Sequence, residues 1–320
     1  MHSNVFEPKL YAAINRDGDV RRQSSSGGVF TPIAEHILGA GGIVIAPVFR
    51  QGMKLAHIAA DQKEDLDRLR GAKYVQSSMR DAFGIIKQNS GRPTLFCGTP
   101  CQAGAIRSYF EEMQNLYVLD VVCHGAPMKK AFRMYIESLE QKYGARVQNI
   151  GFRMKTQSWR HYDIEITLEG GRVLTEPAQL NPYMKGFLEG MYMNTPCHAC
   201  KFKGIKRASD ITLGDFWGIE HFDKGLDDDA GTSLVIVNSE KGMELFDGIK
   251  DGFLYRETTQ EAAVAYNPAI VHSAKPHPQR GEILRALDEQ GFDFVTKTYI
   301  RPQNPLRYKL GRVKARILGR

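Results

Sequence analysis

Residues 94–101 read Thr-Leu-Phe-Cys-Gly-Thr-Pro-Cys, an apolar strand that ends in a Gly/Pro turn, and a helix is predicted for residues 102–110. A second apolar stretch, residues 116–122, ends in the same way at Cys123-His124-Gly125. Continuous apolar strands that alternate with helices predict a parallel sheet. Ligands of such sheets gather beyond the carboxyl ends of the strands, where Cys101 and Cys123 both lie.

The rest of the chain extends this pattern and then changes it. From about residue 149 apolar and polar residues alternate, which predicts an antiparallel meander. The predicted fold class is α/β, with a mostly parallel sheet core, helices, and an antiparallel β-rich portion. We expect an α/β core at residues 1–148, a mixed β portion at 149–300 and a basic tail at 301–320. Further strands are predicted at 10–14, 43–48, 210–213 and 233–238, and further helices at 29–38, 129–143 and 182–191.

The composition excludes several classes of protein. With 320 residues, 42% of them apolar and 25% charged, the chain is neither disordered nor a small disulfide-stapled module. No stretch approaches the roughly 20 apolar residues of a membrane-spanning helix, and the N-terminus lacks the order of a signal peptide. We therefore expect a cytoplasmic protein.

The positive net charge comes from the tail. The chain has 43 Lys and Arg against 36 Asp and Glu, and seven of the basic residues lie at positions 301–320, where there is no acid. The remaining 36 basic and 36 acidic residues balance, so no nucleic-acid-binding face is indicated.

The tail also contains apolar residues at helical spacing, namely Leu306, Leu310, Val313 and Ile317. Such a helix is typical of peripheral membrane contact or of a docked or solvated terminus.

Five cysteines point to metal or redox chemistry, because structural disulfides are rare in a chain without a secretory signal. Cys197 and Cys200 form a C-x-x-C pair, and Cys101 and Cys123 follow strands in Gly/Pro turns. These four thiols could hold an iron-sulfur cluster or zinc, and the C-x-x-C pair could act as a redox dithiol. Cys97 lies inside a strand and is interpreted as a small buried apolar residue.

A second candidate site is the turn Ser24-Ser25-Ser26-Gly27-Gly28, which precedes the predicted helix at 29–38. A hydroxyl- and Gly-rich turn before a helix leaves backbone N–H groups pointing outward and can cradle a phosphate. An ordinary Ser-capped helix start is the alternative. The sequence has no GxGxxG dinucleotide motif after a strand.

Seven motifs in order give the chain a family resemblance. They are Ser25-Ser26-Gly27-Gly28-Val29-Phe30, Gly71-Ala72-Lys73-Tyr74-Val75-Gln76-Ser77, Gly98-Thr99-Pro100-Cys101-Gln102, Cys123-His124-Gly125, Phe152-Arg153-Met154-Lys155, Cys197-His198-Ala199-Cys200 and the stretch from Asp210 to Gly218. The sequence from about residue 10 to about 250 resembles the coenzyme F420 hydrogenase/dehydrogenase beta-subunit family.

This resemblance implies a flavoprotein that binds FAD and a 4Fe–4S cluster. By that analogy the cluster ligands are Cys101, Cys123, Cys197 and Cys200, and Cys97 falls outside the motif. The turn at Ser25, Ser26, Gly27 and Gly28 would hold the FAD pyrophosphate. A cation, an aromatic platform, polar donors and close backbone approach would come from Lys73, Tyr74, Gln76, Ser77, Gly98 and Thr99.

Three further residues have candidate roles toward the substrate or cofactors. His124 could shuttle a proton or donate to a sulfur, or it is a structural histidine. Arg153 and Lys155 are interpreted as neighbours on one strand face that grip a flavin phosphate or an anionic substrate, or as solvated charges. We expect Asp215 and Trp217 to set a turn and to pack.

The resemblance also predicts partners. Bacterial relatives often carry a ferredoxin-like segment upstream, so we expect a separate ferredoxin or other electron carrier, unless the sequence is trimmed. The substrate is expected to be a small molecule, and relatives among polysaccharide-assembly functions favour a sugar-linked one. Two rival hypotheses are a non-redox scaffold with a structural zinc ion held by the same four cysteines and a thiol–disulfide oxidoreductase that uses Cys197 and Cys200.

Overall fold

The computed structural model describes residues 6–301 and residue 308. The strands in this part of the chain are β1 (Lys9–Asn15), β2 (Ile43–Arg50), β3 (Lys54–Ala60), β4 (Thr94–Gly98), β5 (Leu116–Val121), β6 (Val147–Met154), β7 (Asp163–Leu168), β8 (Val173–Pro177), β9 (Ile211–Asp215), β10 (Ser233–Val237) and β11 (Phe253–Thr258). The α-helices are α1 (Gly18–Gln23), α2 (Phe30–Gly39), α3 (Leu66–Leu69), α4 (Ala82–Gln88), α5 (Pro100–Tyr109), α6 (Lys129–Tyr143), α7 (Pro182–Leu188), α8 (Ile219–Phe222), α9 (Glu240–Asp247), α10 (Gln260–Ala265) and α11 (Arg280–Val295).

Eight strands form one large mixed sheet in the order β11-β1-β10-β9-β5-β4-β2-β3. The four strands β2, β4, β5 and β9 run parallel to one another. The strands on either side of them pair antiparallel. The predicted α/β fold class is confirmed, with the parallel arrangement confined to these four strands.

The smaller sheet is the predicted meander, β6-β7-β8, and both of its strand pairs are antiparallel. After α7 the chain returns to the large sheet as β9, β10 and β11. The meander is therefore an insertion, and the chain after residue 148 contributes strands to both sheets. The division into parts at residue 148 stays a prediction.

The parallel strands β2, β4 and β5 are buried on both faces, which explains why their sequences are mostly apolar. Val44 and Leu95 pack on one face against Ile33 and Ile37 of α2. Their neighbours Ile43, Ile45 and Phe96 pack on the other face against Ala103 and Ile106 of α5, all in one cluster. Because successive residues of a strand point to opposite faces, one apolar stretch serves two cores.

A third core joins the small sheet to the helices α6, α7 and α11. It is rich in aromatic residues: the rings of Tyr135 and Tyr183 stack with centroids 4.9 Å apart, and Phe292 lies 5.4 Å from Tyr135. The amphipathic stretch predicted at 129–143 supplies Tyr135 and is α6. This core fixes the small sheet beside the large one.

The C-terminal tail lies largely outside the description. The predicted apolar stripe at Leu306, Leu310, Val313 and Ile317 falls in the residues that the structure does not describe. Among the described residues, no helix has the length and apolar character needed to span a bilayer.

Asp210, just before β9, forms hydrogen bonds to α5, to β5 and to the residue that caps α9. Its Oδ2 accepts hydrogen bonds from the Val118 backbone N–H at 2.8 Å and from Arg107 of α5 at 2.5 Å, and its Oδ1 accepts from Ser239 at 2.7 Å. The carboxylate is 6% exposed. A buried carboxylate with this many donors stabilises the fold mainly because its loss would leave the donors unsatisfied.

We expect Asp210→Ala to lower the free energy of unfolding by on the order of 3 kcal/mol, because the Arg107 guanidinium and the Val118 N–H lose their acceptor. Urea denaturation measures the change. The control is Asp19→Ala, which removes an exposed pair with Arg22 and should cost less than about 1 kcal/mol. Equal losses in the two variants would contradict the role given to Asp210.

Candidate functional site

A cavity of about 320 Å³ opens at the carboxyl ends of the central strands. Its walls include Gly98 at the end of β4, Cys123 after β5 and Asp215 at the end of β9, together with the turn before α2. This is the edge of a parallel sheet where ligands bind. Its volume lies within the range of small-molecule sites, about 300–1,000 Å³.

Most of the predicted site residues meet in this cavity. Its walls include Ser25, Ser26, Gly28, Lys73, Tyr74, Ser77, Gly98, Thr99, His124 and Arg153. Gly27, Gln76 and Lys155 are not part of the lining. Gln76 instead accepts a hydrogen bond from Asn194 at 3.4 Å. Arg70 is a lining residue that the sequence pattern did not single out.

The serine hydroxyls of the turn form hydrogen bonds to backbone groups of the protein. Ser24 Oγ donates to the carbonyl of Val20, Ser26 Oγ donates to that of Thr232 at 2.9 Å, and Ser25 Oγ accepts from the Ala72 N–H. The N-cap of α2 is Val29, which makes no side-chain cap. The Ser-capped interpretation of the turn is therefore wrong. Val29 and Phe30 line the cavity, so the uncapped first turn of α2 lies at its wall and favours an anion there.

Glycine at position 27 lets the turn lie directly against the large sheet. Its N–H donates to Ser233 Oγ at 2.9 Å, and its carbonyl accepts from the Asn15 N–H at 2.8 Å. A Cβ on Gly27 would stand 2.3 Å from the Ala13 carbonyl oxygen. Gly27 therefore fixes the position of the turn from behind the cavity, and Gly28, with φ +87°, completes the turn.

Lys73 holds the carbonyl end of α3 at the cavity wall. Its ammonium donates to the carbonyls of Leu69, Arg70 and Gly71 at 3.0, 2.7 and 3.1 Å. Burial lowers the pKa of Lys73 to about 8. Beside it, Arg70 donates to Thr31 Oγ1 at 2.9 Å and pairs with Asp67 at 2.6 Å. These two residues supply the positive charge on this side of the cavity.

Arg153 brings a second, deeply buried cation to the cavity. Its guanidinium pairs with the Asp215 carboxylate and lies 4.4 Å from the ring centre of Tyr162 and 5.4 Å from that of Trp217. Burial opposes its charge, but Asp215 raises the pKa of Arg153 above its usual value. Its Nε and Nη2 find no hydrogen-bond partner among the described residues. Asp215, expected only to set a turn and pack, forms this ion pair.

Lys155 lies behind the turn and does not line the cavity. Its ammonium donates to the carbonyls of Arg21, Ser26 and Ala230 at 2.5, 2.8 and 2.7 Å. Burial lowers the pKa of Lys155 to about 7. All three of its donors are used on backbone carbonyls, so the structure gives Lys155 a positioning role instead of the predicted contact with substrate.

The cysteines outside β4 lie close enough to influence one another. Burial, with smaller contributions from Cys101 and Cys197, raises the pKa of Cys123 to about 12 against the opposing effect of Lys203. Burial also raises the pKa of Cys197, as do Cys101 and Cys200. Within residues 6–301 and 308, no three or more His, Cys, Asp or Glu side chains are arranged to hold a single metal ion.

The thiols differ in exposure. Cys101, at the start of α5, is exposed, whereas Cys123, Cys197 and Cys200 are half-buried. Cys97 is buried within β4, as expected from the sequence, and it lines the cavity. Burial raises the pKa of its thiol. Cys97 is therefore set apart from the other four by its place inside a strand.

His124 follows Cys123 and faces the cavity. Its ring meets that of Phe187 edge-on at 5.3 Å, and its buried Nε2 has no hydrogen-bond partner within the described structure. A buried ring nitrogen without a partner is costly unless a ligand or water satisfies it. We call Cys101, Cys123, Cys197 and Cys200 the cysteine group. Cys123 of this group and the adjacent His124 both lie in the cavity wall.

The fold and the site define an α/β protein with a cavity at the carboxyl ends of its parallel strands and cysteines beside it. Residues 10–83 match the N-terminal part of the family described as coenzyme F420 hydrogenase/dehydrogenase, beta subunit, and residues 91–262 match its C-terminal part. The chain belongs to the coenzyme F420 hydrogenase/dehydrogenase beta-subunit family, which confirms the resemblance and makes it a redox protein of that type.

The chain has no match among the curated proteins. Among solved structures, a chain of the F420-reducing NiFe hydrogenase complex from Methanosarcina barkeri is similar, with a TM-score of 0.51 and 19% sequence identity over 90% of each chain. At this identity the likeness supports the fold alone.

The lowered pKa of Lys73 predicts a pH dependence of stability. Between pH 8 and the usual Lys pKa of 10.5 the unfolded chain binds more protons at Lys73 than the folded chain, so the free energy of unfolding rises with pH. We expect it to rise by on the order of 2 kcal/mol more than in Lys73→Met across that range. Urea denaturation in steps of pH measures this.

Lys87→Met is the matched control, because Lys87 is exposed. Its stability should follow that of the unchanged chain at every pH. A constant difference between the unchanged chain and Lys73→Met from pH 8 to 10.5 would show that Lys73 titrates normally.

Proposed function

We propose that the chain is an oxidoreductase that binds FAD in the cavity and a 4Fe–4S cluster at Cys101, Cys123, Cys197 and Cys200. It would relay electrons between a reduced carrier, a ferredoxin or the deazaflavin coenzyme, and a small-molecule substrate. One observation carries this proposal: Cys123 lines the cavity, and the segment directly after it contacts Cys197, since the Ala126 N–H donates to Cys197 Sγ at 3.4 Å. The cavity and the cysteine group therefore share a wall.

The cavity residues suit a flavin dinucleotide. The uncapped start of α2, with Arg70 nearby, offers N–H groups and positive charge to a pyrophosphate. Ala46, Pro47 and Leu55 supply an apolar wall for a ring system. When bound, FAD exchanges two electrons as a hydride and a cluster exchanges single electrons.

The four cysteines suit an iron-sulfur cluster by the chemistry of their sulfur donors, since thiolates are the usual ligands of such clusters. The Ala126 N–H donates to Cys197 Sγ at 3.4 Å, and Lys203 lowers the pKa of Cys123 against the effect of burial. Both interactions favour the thiolate form. Gly125, with φ +155°, lets the chain turn between Cys123 and Ala126 without a side chain, which at this position would meet Met193.

The remaining residues would contact the ligand or hold the cavity wall in position. His124 offers its unpartnered Nε2 to a ligand in the cavity, where it can hold or release a proton. Arg153 keeps its charge beside Asp215 and would contact an anionic group of a cofactor or substrate in the cavity. Lys155 keeps the Ser/Gly turn in place.

A sugar-linked substrate stays a prediction of the resemblance. The Methanosarcina neighbour belongs to a hydrogenase complex, which supports a partner protein for this chain.

We expect the chain purified without oxygen to be brown, to carry about four iron atoms and to release FAD on denaturation. Serine at position 101, 123, 197 or 200 should remove most of the iron, because each thiolate is a ligand. Cys97→Ser is the matched control and should keep its iron. Iron analysis and flavin fluorescence of the denatured protein measure both groups.

Three results would contradict the proposal. A colourless protein with one zinc per chain would favour the scaffold hypothesis. A reversible Cys197–Cys200 disulfide without bound iron would favour the thiol–disulfide hypothesis. Loss of iron in Cys97→Ser to the same extent as in Cys123→Ser would show that the ligand set is wrong.

A further inference from the structure

The exposed thiol of the cysteine group borders a surface that the proposed function leaves unexplained. Cys101 is exposed at the start of α5, and the segment 201–207, directly after Cys200, packs against the same helix. The contact is close: a Cβ on Gly104 of α5 would stand 2.6 Å from the ring of Phe202. Phe202 is nevertheless 42% exposed. Phe202 therefore offers one apolar contact at the surface beside α5.

The segment 201–207 is unusually basic. It reads Lys-Phe-Lys-Gly-Ile-Lys-Arg, four cations without an acid, although residues 1–300 as a whole carry equal numbers of basic and acidic residues. Lys201 and Lys206 are exposed, and the only acid that pairs with them among the described residues is Glu7, 2.8 Å from Lys206. Glu7 therefore offsets one of the four positive charges. The surface therefore keeps a positive potential.

A second cavity, of about 100 Å³, opens within this surface. Its lining includes Pro100, which adjoins Cys101, and the buried side chains of Arg207 and Asp120. These two stand 3.7 Å apart and are only 2% and 1% exposed. That distance is too long for a hydrogen bond, and Arg207 Nη1 and Asp120 Oδ1 have no partner in the described part of the chain.

The cavity can receive one carboxylate. A buried guanidinium nitrogen without an acceptor is costly, and an incoming carboxylate would satisfy it while Lys201 and Lys206 flank the entrance. Asp120 opposes a second negative charge, and because burial raises its pKa to about 6, this opposition weakens only as the pH falls toward 6. Lys203 connects this surface to the cysteine group by donating to the Cys123 carbonyl at 2.5 Å.

We propose that the surface formed by Lys201, Phe202, Lys206 and the Arg207 cavity docks a small acidic electron-carrier protein next to Cys101. This inference rests on the proposed function for the kind of partner. Charge complementarity selects an acidic protein, Phe202 supplies the apolar contact, and the cavity takes one carboxylate from the partner's surface. Docking here places the partner at the exposed thiol of the cysteine group.

The test measures binding of an acidic 2Fe–2S ferredoxin, kept oxidised, to the full chain purified with its cofactors. We expect binding that weakens steeply with added salt. The double variant Lys201→Glu/Lys206→Glu should raise Kd about tenfold or more at low ionic strength. The matched control is Lys87→Glu/Lys224→Glu, which changes the net charge equally at exposed lysines elsewhere, and its Kd should stay within about twofold of that of the unchanged chain.

Equal weakening in both double variants would overturn the proposal, as would ferredoxin binding that does not depend on salt. Sulfate serves as a second probe: sulfate binding without ferredoxin binding would identify the cavity as a site for free oxyanions and would also overturn docking. Iron and flavin analysis of the same samples separates the two proposals. A loaded protein that binds no ferredoxin contradicts docking alone, whereas salt-dependent binding by a protein without iron or flavin contradicts the proposed function alone.

Discussion

The burial of the central parallel strands is the constraint on which the site depends. β2, β4 and β5 carry apolar side chains toward two cores, and β9 carries them toward one, so apolar packing occupies most of their length, with buried polar residues such as Asp120 as exceptions. Parallel direction then brings their carboxyl ends to one edge. The residues after β4 and β5 meet there, with the end of β9, although they are far apart in the sequence. Both the cavity and the cysteine group follow from this geometry.

The walls of the cavity are held by cations that have partners within the protein. Lys155 and Lys73 each donate to three backbone carbonyls, and Arg153 pairs with Asp215. Taking a cation out of water is costly, and carbonyl or carboxylate partners offset that cost only in one geometry. Each partnership therefore fixes one part of the wall: Lys155 the turn, Lys73 the end of α3, and Arg153 the end of β9. A rigid cavity of this kind is preorganised for one shape of ligand.

Features that depend on local pattern could be predicted from the sequence, and features that depend on distant partners could not. The apolar strands, the helix at 129–143 and the meeting of Cys101 and Cys123 at one sheet edge all follow from periodicity and strand direction. The edge strands β3 and β11 were missed because each has a neighbour on one side only, so its pattern is less apolar.

Arg153 and Lys155 also show that a local sequence pattern does not determine where a side chain lies. Their spacing predicts a common face, but β6 ends at Met154, so the alternation of a strand no longer applies to Lys155. The adjacency of Cys123 and His124 is different, because covalent geometry fixes it. Consecutive Cα atoms lie about 3.8 Å apart. A group bound to the Cys123 sulfur would therefore lie close to a cavity ligand that contacts His124. Under the proposed function, this one peptide bond would hold the cluster next to the flavin without a moving part.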